Sequence, residues 1–348
     1  YNMVPSKILF VNNIKSALAD FFSSNNYTKI GILVDENTEK LCLPSIMNNN
    51  EHSDFLILKI KSGEKNKNIN SCIKIWDKLT NNKFDRNSLI INLGGGVITD
   101  MGGFIAATYK RGIDFINIPT TLLAQVDASV GGKLGIDFNS YKNQIGVFKE
   151  SKFTFIDTKF LLTLSKRELN SGYAEIIKHC LIKDKSKFNE IYNQKLDKNN
   201  WENIIKHSVD IKSIIVKSDL KENGLRKILN FGHTIGHAIE STYMNKEKKL
   251  LHGEAIAIGI ICESYISYKV KKLKFNELKK ISNIIIKIFN PKKVDFFEEI
   301  IEKSYQDKKN INNKIKICVL NEIGKCKYDY EINENLIVKS LEYYNKIL

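Results

Sequence analysis

Short runs of aliphatic, β-branched and aromatic residues recur through the first 160 residues of this 348-residue chain: KIGILVD (29–35), DFLILKI (54–60), SLIINLGGG (88–96), FINIP (115–119) and FTFID (153–157). Between several of them lie stretches of helical period, such as NINSCIKIWDKLTNN. Alternation of strand and helix predicts a mostly parallel sheet with helices on its faces. Such sheets bind ligands at the carboxyl ends of their strands. From about residue 165 the strand signal fades. ELNSGYAEIIKHCLI, WENIIKHSVDIKSIIVKSDL, NFGHTIGHAIESTY and LHGEAIAIGIICESYISYKVKKL read as helices, and only KIKICVL (314–320) again reads as a strand. The chain is therefore expected to be an α/β sheet domain followed by a mainly α-helical one, with the boundary near 160–170 and no Pro/Gly/Ser linker.

Composition removes several function classes. No apolar run reaches the roughly 18–20 residues that span a bilayer, and GEAIAIGIICESYISY, the longest candidate, carries Glu263 and several hydroxyls, so it reads as a buried helix. The opening YNMVPSKILF has no charged stretch followed by an apolar one, so no secretory signal is expected. The cysteines stand at 42, 72, 180, 262, 318 and 326 without CxxC spacing, the pattern of reduced, structural thiols in the cytoplasm. The net charge of +15 is spread over scattered lysines, with no aromatics interleaved for base stacking, so nucleic acid is not the expected partner. The positive surplus would still draw in a small anionic substrate.

LGGGVITDMGGF follows an apolar strand and opens a helix. Glycines at such a turn let backbone N–H groups approach a phosphate at a helix N-terminus. The segment is not the GxGxxG dinucleotide fingerprint, because Thr99 stands where its last glycine belongs. A tight strand-to-helix turn that needs small residues would look the same. Asp35, closing ILVD, could accept hydrogen bonds from a ribose hydroxyl or simply cap the next helix.

FGHTIGHAIE sets His233 and His237 one helical turn apart, on one face, a spacing that can hold a metal ion. A third histidine, His252, follows in LHGEAIAIG, and Glu175 sits in SGYAEIIKH. Glu175 with two of the three histidines would supply the three N/O ligands of a catalytic zinc site. A packed histidine with one hydrogen bond is the plainer alternative, but all three lie beside glycine. In KENGLRKILNFGH, Arg226, Asn230 and His233 would share one helical face, a polar stripe suited to an anion.

GGGVITDMGGFIAATYKRGIDFINIPTTLLAQVDASVGGKLGID, YKNQIG, AEIIKH, NGLRKILNFGHTIGHAIE and LHGEAIAIG, in this order, resemble the 3-dehydroquinate synthase family of sugar-phosphate cyclases. The match runs from about Asp35 to DKKNINNKIKICVLNEIG. It implies a Rossmann-like NAD-binding α/β domain over 1–164 and a mainly helical metal- and substrate-binding domain over 165–348, assembled as a homodimer. It implies conversion of 3-deoxy-arabino-heptulosonate 7-phosphate into 3-dehydroquinate and phosphate, with catalytic NAD and Zn2+ or Co2+. A ring hydroxyl is oxidised, phosphate is eliminated, the carbonyl is reduced, the ring opens and an aldol step closes the carbocycle.

By the same resemblance, Glu175, His233 and His252 hold the metal, while His237 and Glu222 transfer protons. Arg226 and Lys212 hold the substrate carboxylate, as a bidentate guanidinium suits. Lys178, Asn230, Lys133, Asn143 and Asp127 are further substrate contacts, Lys178 and Asn230 also serving catalysis. Arg111 reaches phosphate from the neighbouring subunit, and one of Lys308 and Lys309 reaches it too. NAD is assigned Asp35, Glu64, Lys67, Gly95, Gly96, Val97 and Asp100. It is also assigned Thr120, Thr121, Lys133, Lys142, Phe160 and Thr163.

Two positions depart from the family pattern: Thr99, where many relatives have Gly, and Ser165, where Pro usually follows TL. The rivals are another cyclase, of the deoxy-inosose or valiolone-forming type, and a metal-dependent polyol dehydrogenase of the glycerol dehydrogenase type. Asn230 and His237 favour the dehydroquinate synthase pattern over other cyclases. Lys178, Lys212 and Arg226 argue against a neutral polyol, which needs no anion pocket.

Overall fold

The computed structural model describes residues 6–47, 55–139, 141–193, 201–244, 246–305 and 315–348. It divides into two compact units, Tyr1–Ser165 and Lys166–Leu348. The first holds β1 (Lys7–Phe10), α1 (Ile14–Ser23), β2 (Ile30–Asp35), α2 (Glu36–Leu41), β3 (Phe55–Ile60) and α3 (Ile69–Asn81). It continues with β4 (Leu89–Gly94), α4 (Gly96–Thr108), β5 (Asp114–Pro119), β6 (Lys133–Phe138), β7 (Tyr141–Phe148) and β8 (Phe153–Ile156).

Six of these strands form one sheet in the order β1-β8-β5-β4-β2-β3, every pair parallel. Alternation along each strand feeds two cores. Leu33, Ile90 and Phe115 pack on one face with Met101 and Phe104 of α4. Their neighbours Ile32, Ile91 and Ile116 pack on the other with Leu18 and Phe21 of α1. The chain leaves β2 toward β3 and leaves β4 toward β5, so the winding reverses between β2 and β4. That reversal opens a crevice at the carboxyl ends of these two strands. Asp35 ends β2, and Gly95 follows β4. β6 and β7 form a separate antiparallel hairpin, which the strand runs of the sequence did not announce.

The second unit holds α5 (Lys166–Lys183), α6 (Lys185–Asn193), α7 (Trp201–Ser218), α8 (His233–Tyr243), α9 (His252–Lys269), α10 (Phe275–Phe289) and α11 (Phe297–Tyr305). A hairpin of β9 (Ile315–Glu322) and β10 (Lys325–Ile332) follows, then α12 (Glu334–Ile347). β10 is a strand that the sequence did not announce. The segment expected to be a buried helix is α9, with buried residues on every side. It packs against α5, α8, α10, α12 and β9. Among the described residues, no helix is long and apolar enough to cross a membrane. All six cysteines are free, and five are buried.

α8 and α9 approach backbone to backbone. Gly232, just before α8, has φ 78°, and a Cβ there would come within 2.5 Å of Ile260 Cγ1. At Gly259 a Cβ would overlap the Gly232 carbonyl oxygen and the Gly236 backbone. Gly259→Ala is expected to cost about 1–3 kcal/mol or more of stability, because backbone cannot move aside as a side chain can. A lower urea midpoint for the variant checks this.

A candidate metal centre and the residues around it

α8 is helical from His233 onward, so His233 and His237 do lie one turn apart, with ring centroids separated by 5.0 Å. His252 opens α9, and its ring lies 5.8 Å from that of His233 and 5.7 Å from that of His237. One ring nitrogen from each imidazole falls within 4.8 Å of the other two. Glu175 of α5, buried to 1% exposure, points into the same place. Its Oε1 is 3.5 Å from His233 Nε2 and 3.9 Å from His252 Nε2. Its Oε2 pairs with Lys178.

The ring orientations are set from behind. His233 Nδ1 lies 3.1 Å from the carbonyl oxygen of Phe231, and His252 Nδ1 lies 3.1 Å from Glu240 Oε2. An Nδ1–H donated to each acceptor leaves the Nε2 lone pairs facing Glu175. Neither Glu175 oxygen closes a hydrogen bond of good geometry. Lys178 offsets the charge at Oε2, but a buried Oε1 without a donor is costly unless something else meets it. With imidazole nitrogens as its neighbours, the donor set fits a divalent cation such as Zn2+. Glu240 was not singled out in the sequence. Its signal was its place on α8, three residues beyond His237.

Three buried cations stand on elements that pack together: Lys178 on α5, Lys212 on α7 and Arg226 on the 3-10 turn 225–230. The shared helical face expected for Arg226, Asn230 and His233 is not formed. A 3-10 turn carries the first two, and Gly232, in the left-handed region, separates them from α8. The loop before the turn is organised by Asp219, which accepts from the amides of Asn223 at 3.0 Å, Gly224 at 2.7 Å and Arg226 at 3.1 Å. Burial pushes the Asp219 carboxyl up, but these amides outweigh it and hold its pKa below the usual carboxylate range. The Arg226 side chain donates from Nη1 to the Leu220 carbonyl oxygen at 2.8 Å. Glu222 sits in this loop at φ 60°, a conformation uncommon for glutamate. Its Oε1 accepts from Asn230 Nδ2 at 2.5 Å.

In the first unit, Asp35 caps α2: Oδ1 accepts from the amides of Asn37 at 2.9 Å and Thr38 at 2.8 Å. Gly95 is the N-cap of α4, with Thr121 against it. Thr99, in the first turn of α4, turns its hydroxyl back to the carbonyl oxygens of Gly95 and Gly96 at 3.4 and 3.2 Å. Lys67 Nζ donates to Asp100 Oδ2 and to Asn143 Oδ1, each at 2.6 Å. Glu64 lies 3.9 Å from Lys67 Nζ and 3.6 Å from Lys142 Nζ. Burial works against the charge on Lys67, but Asp100 and Glu64 outweigh it and hold its pKa above the ordinary lysine value.

Phe160 and Thr163 line a cavity of about 300 Å3 with Ile14, Leu41 and Asp157. Thr120 is buried at the end of β5. Val97 is half-buried in α4, and Asp127 sits on a π-turn, 124–128, a feature often found at functional sites. Lys133 is exposed at the start of β6. Arg111 is also exposed and lines a different cavity, of about 390 Å3, with Asp85, Arg86 and Lys110. Lys308 and Lys309 lie outside the described residues.

Residues 57–171 match the family model for the 3-dehydroquinate synthase N-terminal domain, and residues 172–310 match that for its C-terminal domain. A 3-dehydroquinate synthase of Parabacteroides distasonis is 41% identical over 349 aligned positions, covering 99% of both chains. This chain belongs to the 3-dehydroquinate synthase family. The fold agrees with solved members of the wider cyclase group. A 2-epi-5-epi-valiolone synthase from Streptomyces hygroscopicus subsp. jinggangensis, with NAD+ and Zn2+ bound, superposes with a TM-score of 0.89 at 23% identity, covering 100% of this chain and 99% of that one. A 2-deoxy-scyllo-inosose synthase complexed with carbaglucose-6-phosphate, NAD+ and Co2+ gives 0.85 at 22% identity, covering 97% and 96%. At these identities the likeness to the two structures is one of fold.

Glu240→Ala is expected to weaken Zn2+ or Co2+ binding by about 10- to 100-fold, the usual loss when the carboxylate behind a ligating histidine is removed. Competition with a chromogenic chelator measures it, and Glu240→Gln, which keeps an acceptor, is expected to lose less.

Proposed function

We propose that the protein is a 3-dehydroquinate synthase, a carbon–oxygen lyase that turns 3-deoxy-arabino-heptulosonate 7-phosphate into 3-dehydroquinate and phosphate. One observation carries this beyond family membership. Glu175 meets His233 and His252 in the unit that also buries Lys178, Lys212 and Arg226. A polyhydroxylated substrate with a carboxylate and a phosphate needs both features, a cation to polarise oxygen and fixed positive charge to hold anions.

Glu175, His233 and His252 would hold the metal, and residues of the first unit would hold NAD. When bound, NAD supplies a reversible hydride acceptor, and the cation supplies Lewis acidity at a substrate oxygen. The chain's own groups do the rest. Arg226 and Lys212 grip the substrate carboxylate, with the Arg226 backbone pinned by Asp219. Lys178 neutralises Glu175 and presents charge to the substrate. Glu222 Oε1, held by Asn230, and the ring of His237 are the groups that accept and return protons. Asn143, Lys133 and Asp127 are further substrate contacts. Arg111 and one of Lys308 and Lys309 contact phosphate.

For the nucleotide, Gly95, Gly96 and Val97 offer amides at the start of α4, where pyrophosphate is favoured. Asp35 accepts from ribose while capping α2. Glu64, Lys67, Asp100 and Lys142 form the linked charge cluster beside that turn. Thr120, Thr121, Phe160 and Thr163 complete the set. We also propose a cytoplasmic homodimer, in which each subunit lends Arg111 to its partner. Free, mostly buried thiols support the reducing compartment.

The test is phosphate release by the purified protein given NAD and Zn2+. Release from the heptulosonate phosphate, and none from glucose 6-phosphate, is expected. The reverse preference would move the chain to another cyclase class, and steady NADH accumulation with glycerol would make it a dehydrogenase. Arg226→Ala is expected to raise KM for the heptulosonate phosphate roughly 10- to 100-fold, the size of lost charge-assisted hydrogen bonds. NAD affinity, titrated by fluorescence, should stay unchanged in that variant.

A further inference from the structure

α8 begins without a capping side chain. Its N-cap position is Gly232, so the amides of its first turn find no partner in their own segment. The partner comes from α9. Glu263, at 0% exposure, accepts the Gly232 amide on Oε2 at 2.7 Å. Its Oε1 accepts the amides of Thr234 at 3.1 Å and Ile235 at 3.3 Å. One carboxylate therefore answers three amides and faces the positive end of the helix dipole.

The placement matters for the cation. His233 lies inside the turn that Glu263 holds, between Gly232 and Thr234. His237 is one turn further along the same helix. Glu263 itself stands on α9, the helix that His252 opens. Its sequence neighbours Ile260, Ile261, Cys262 and Ile266 are fully buried. Among these apolar neighbours a carboxylate is costly unless it is hydrogen-bonded, and the three α8 amides meet that need.

We propose that Glu263 is a positioning residue of the metal centre. It ties the first turn of α8 to α9, so that His233 and His237 face His252 before a cation arrives. The proposal rests on the metal-binding role given above to Glu175, His233 and His252. Glutamine replaces it only in part: its carbonyl oxygen can still accept from one side, but its amide nitrogen turns hydrogens toward an α8 amide on the other, and the negative charge at the helix end is lost.

The decisive measurement is Zn2+ affinity of metal-stripped Glu263→Gln by chelator competition, with NAD affinity followed in parallel and the Co2+ absorption spectrum as a second readout. Metal affinity is expected to fall about 10- to 100-fold, the range for groups that orient ligands, with a changed Co2+ spectrum and unchanged NAD affinity. A comparison variant, Leu278→Ala, empties a buried site on α10 and should lower stability while keeping metal affinity. Unchanged metal affinity in Glu263→Gln, or an equal loss in Leu278→Ala, would overturn the proposal. Failure of the unaltered protein to bind Zn2+ would instead overturn the metal centre itself, and Glu263 with it. Should Glu263→Gln not fold, amide exchange in the unaltered, metal-free protein decides. Slow exchange at Gly232, Thr234 and Ile235 is expected, and fast exchange there would sink the idea.

Discussion

The second unit depends on two helices touching through bare backbone. At Gly259 there is no room for a methyl group against Gly232 and Gly236, and at Gly232 only a left-handed conformation carries the chain into α8. This closeness lets His252, at the head of α9, stand beside His233 and His237 near the head of α8. Side-chain contacts alone tolerate small shifts, because rotamers adjust. Backbone contact does not, so the distances between the imidazoles inherit the stiffness of the helix pair.

Around that fixed geometry the polar groups form layers. Glu175 and the three imidazoles make the inner set. Glu240 and the Phe231 carbonyl hold the far sides of two rings, and Glu263 holds the helix end beneath them. Glu240 and the Phe231 carbonyl take the Nδ1 hydrogens and leave the two Nε2 lone pairs pointing inward, while Glu263 takes the amides of the helix end. Lys178, Lys212 and Arg226 then balance the carboxylates with buried positive charge. Lys178 is paired with Glu175, and the Arg226 guanidinium donates to the Leu220 carbonyl oxygen.

Local pattern made part of this legible. His233 and His237 were readable as one face because a helix sets that spacing by itself. The parallel sheet was readable because strands covered on both faces are apolar throughout. What escaped depends on partners distant in sequence. β10, KCKYDYEI, is mostly solvent-facing and carries no apolar run, so only its pairing with β9 defines it. Glu263 reads as an interruption in an apolar helix until α8 is laid against it. The single helical stripe expected through Arg226, Asn230 and His233 is broken because one glycine in the left-handed region, Gly232, separates the 3-10 turn from α8. Arg226 is nonetheless buried, held by a loop whose own carboxylate, Asp219, works on backbone amides.

The Lys67 cluster has a bearing on how any acid–base behaviour of the molecule is to be understood. Its nitrogen joins α4 to the β6–β7 hairpin through Asp100 and Asn143. Because its neighbours keep the ammonium protonated beyond the ordinary lysine range, this clasp stays shut throughout neutral and moderately alkaline solution. A titration seen there in turnover would have to originate in other side chains.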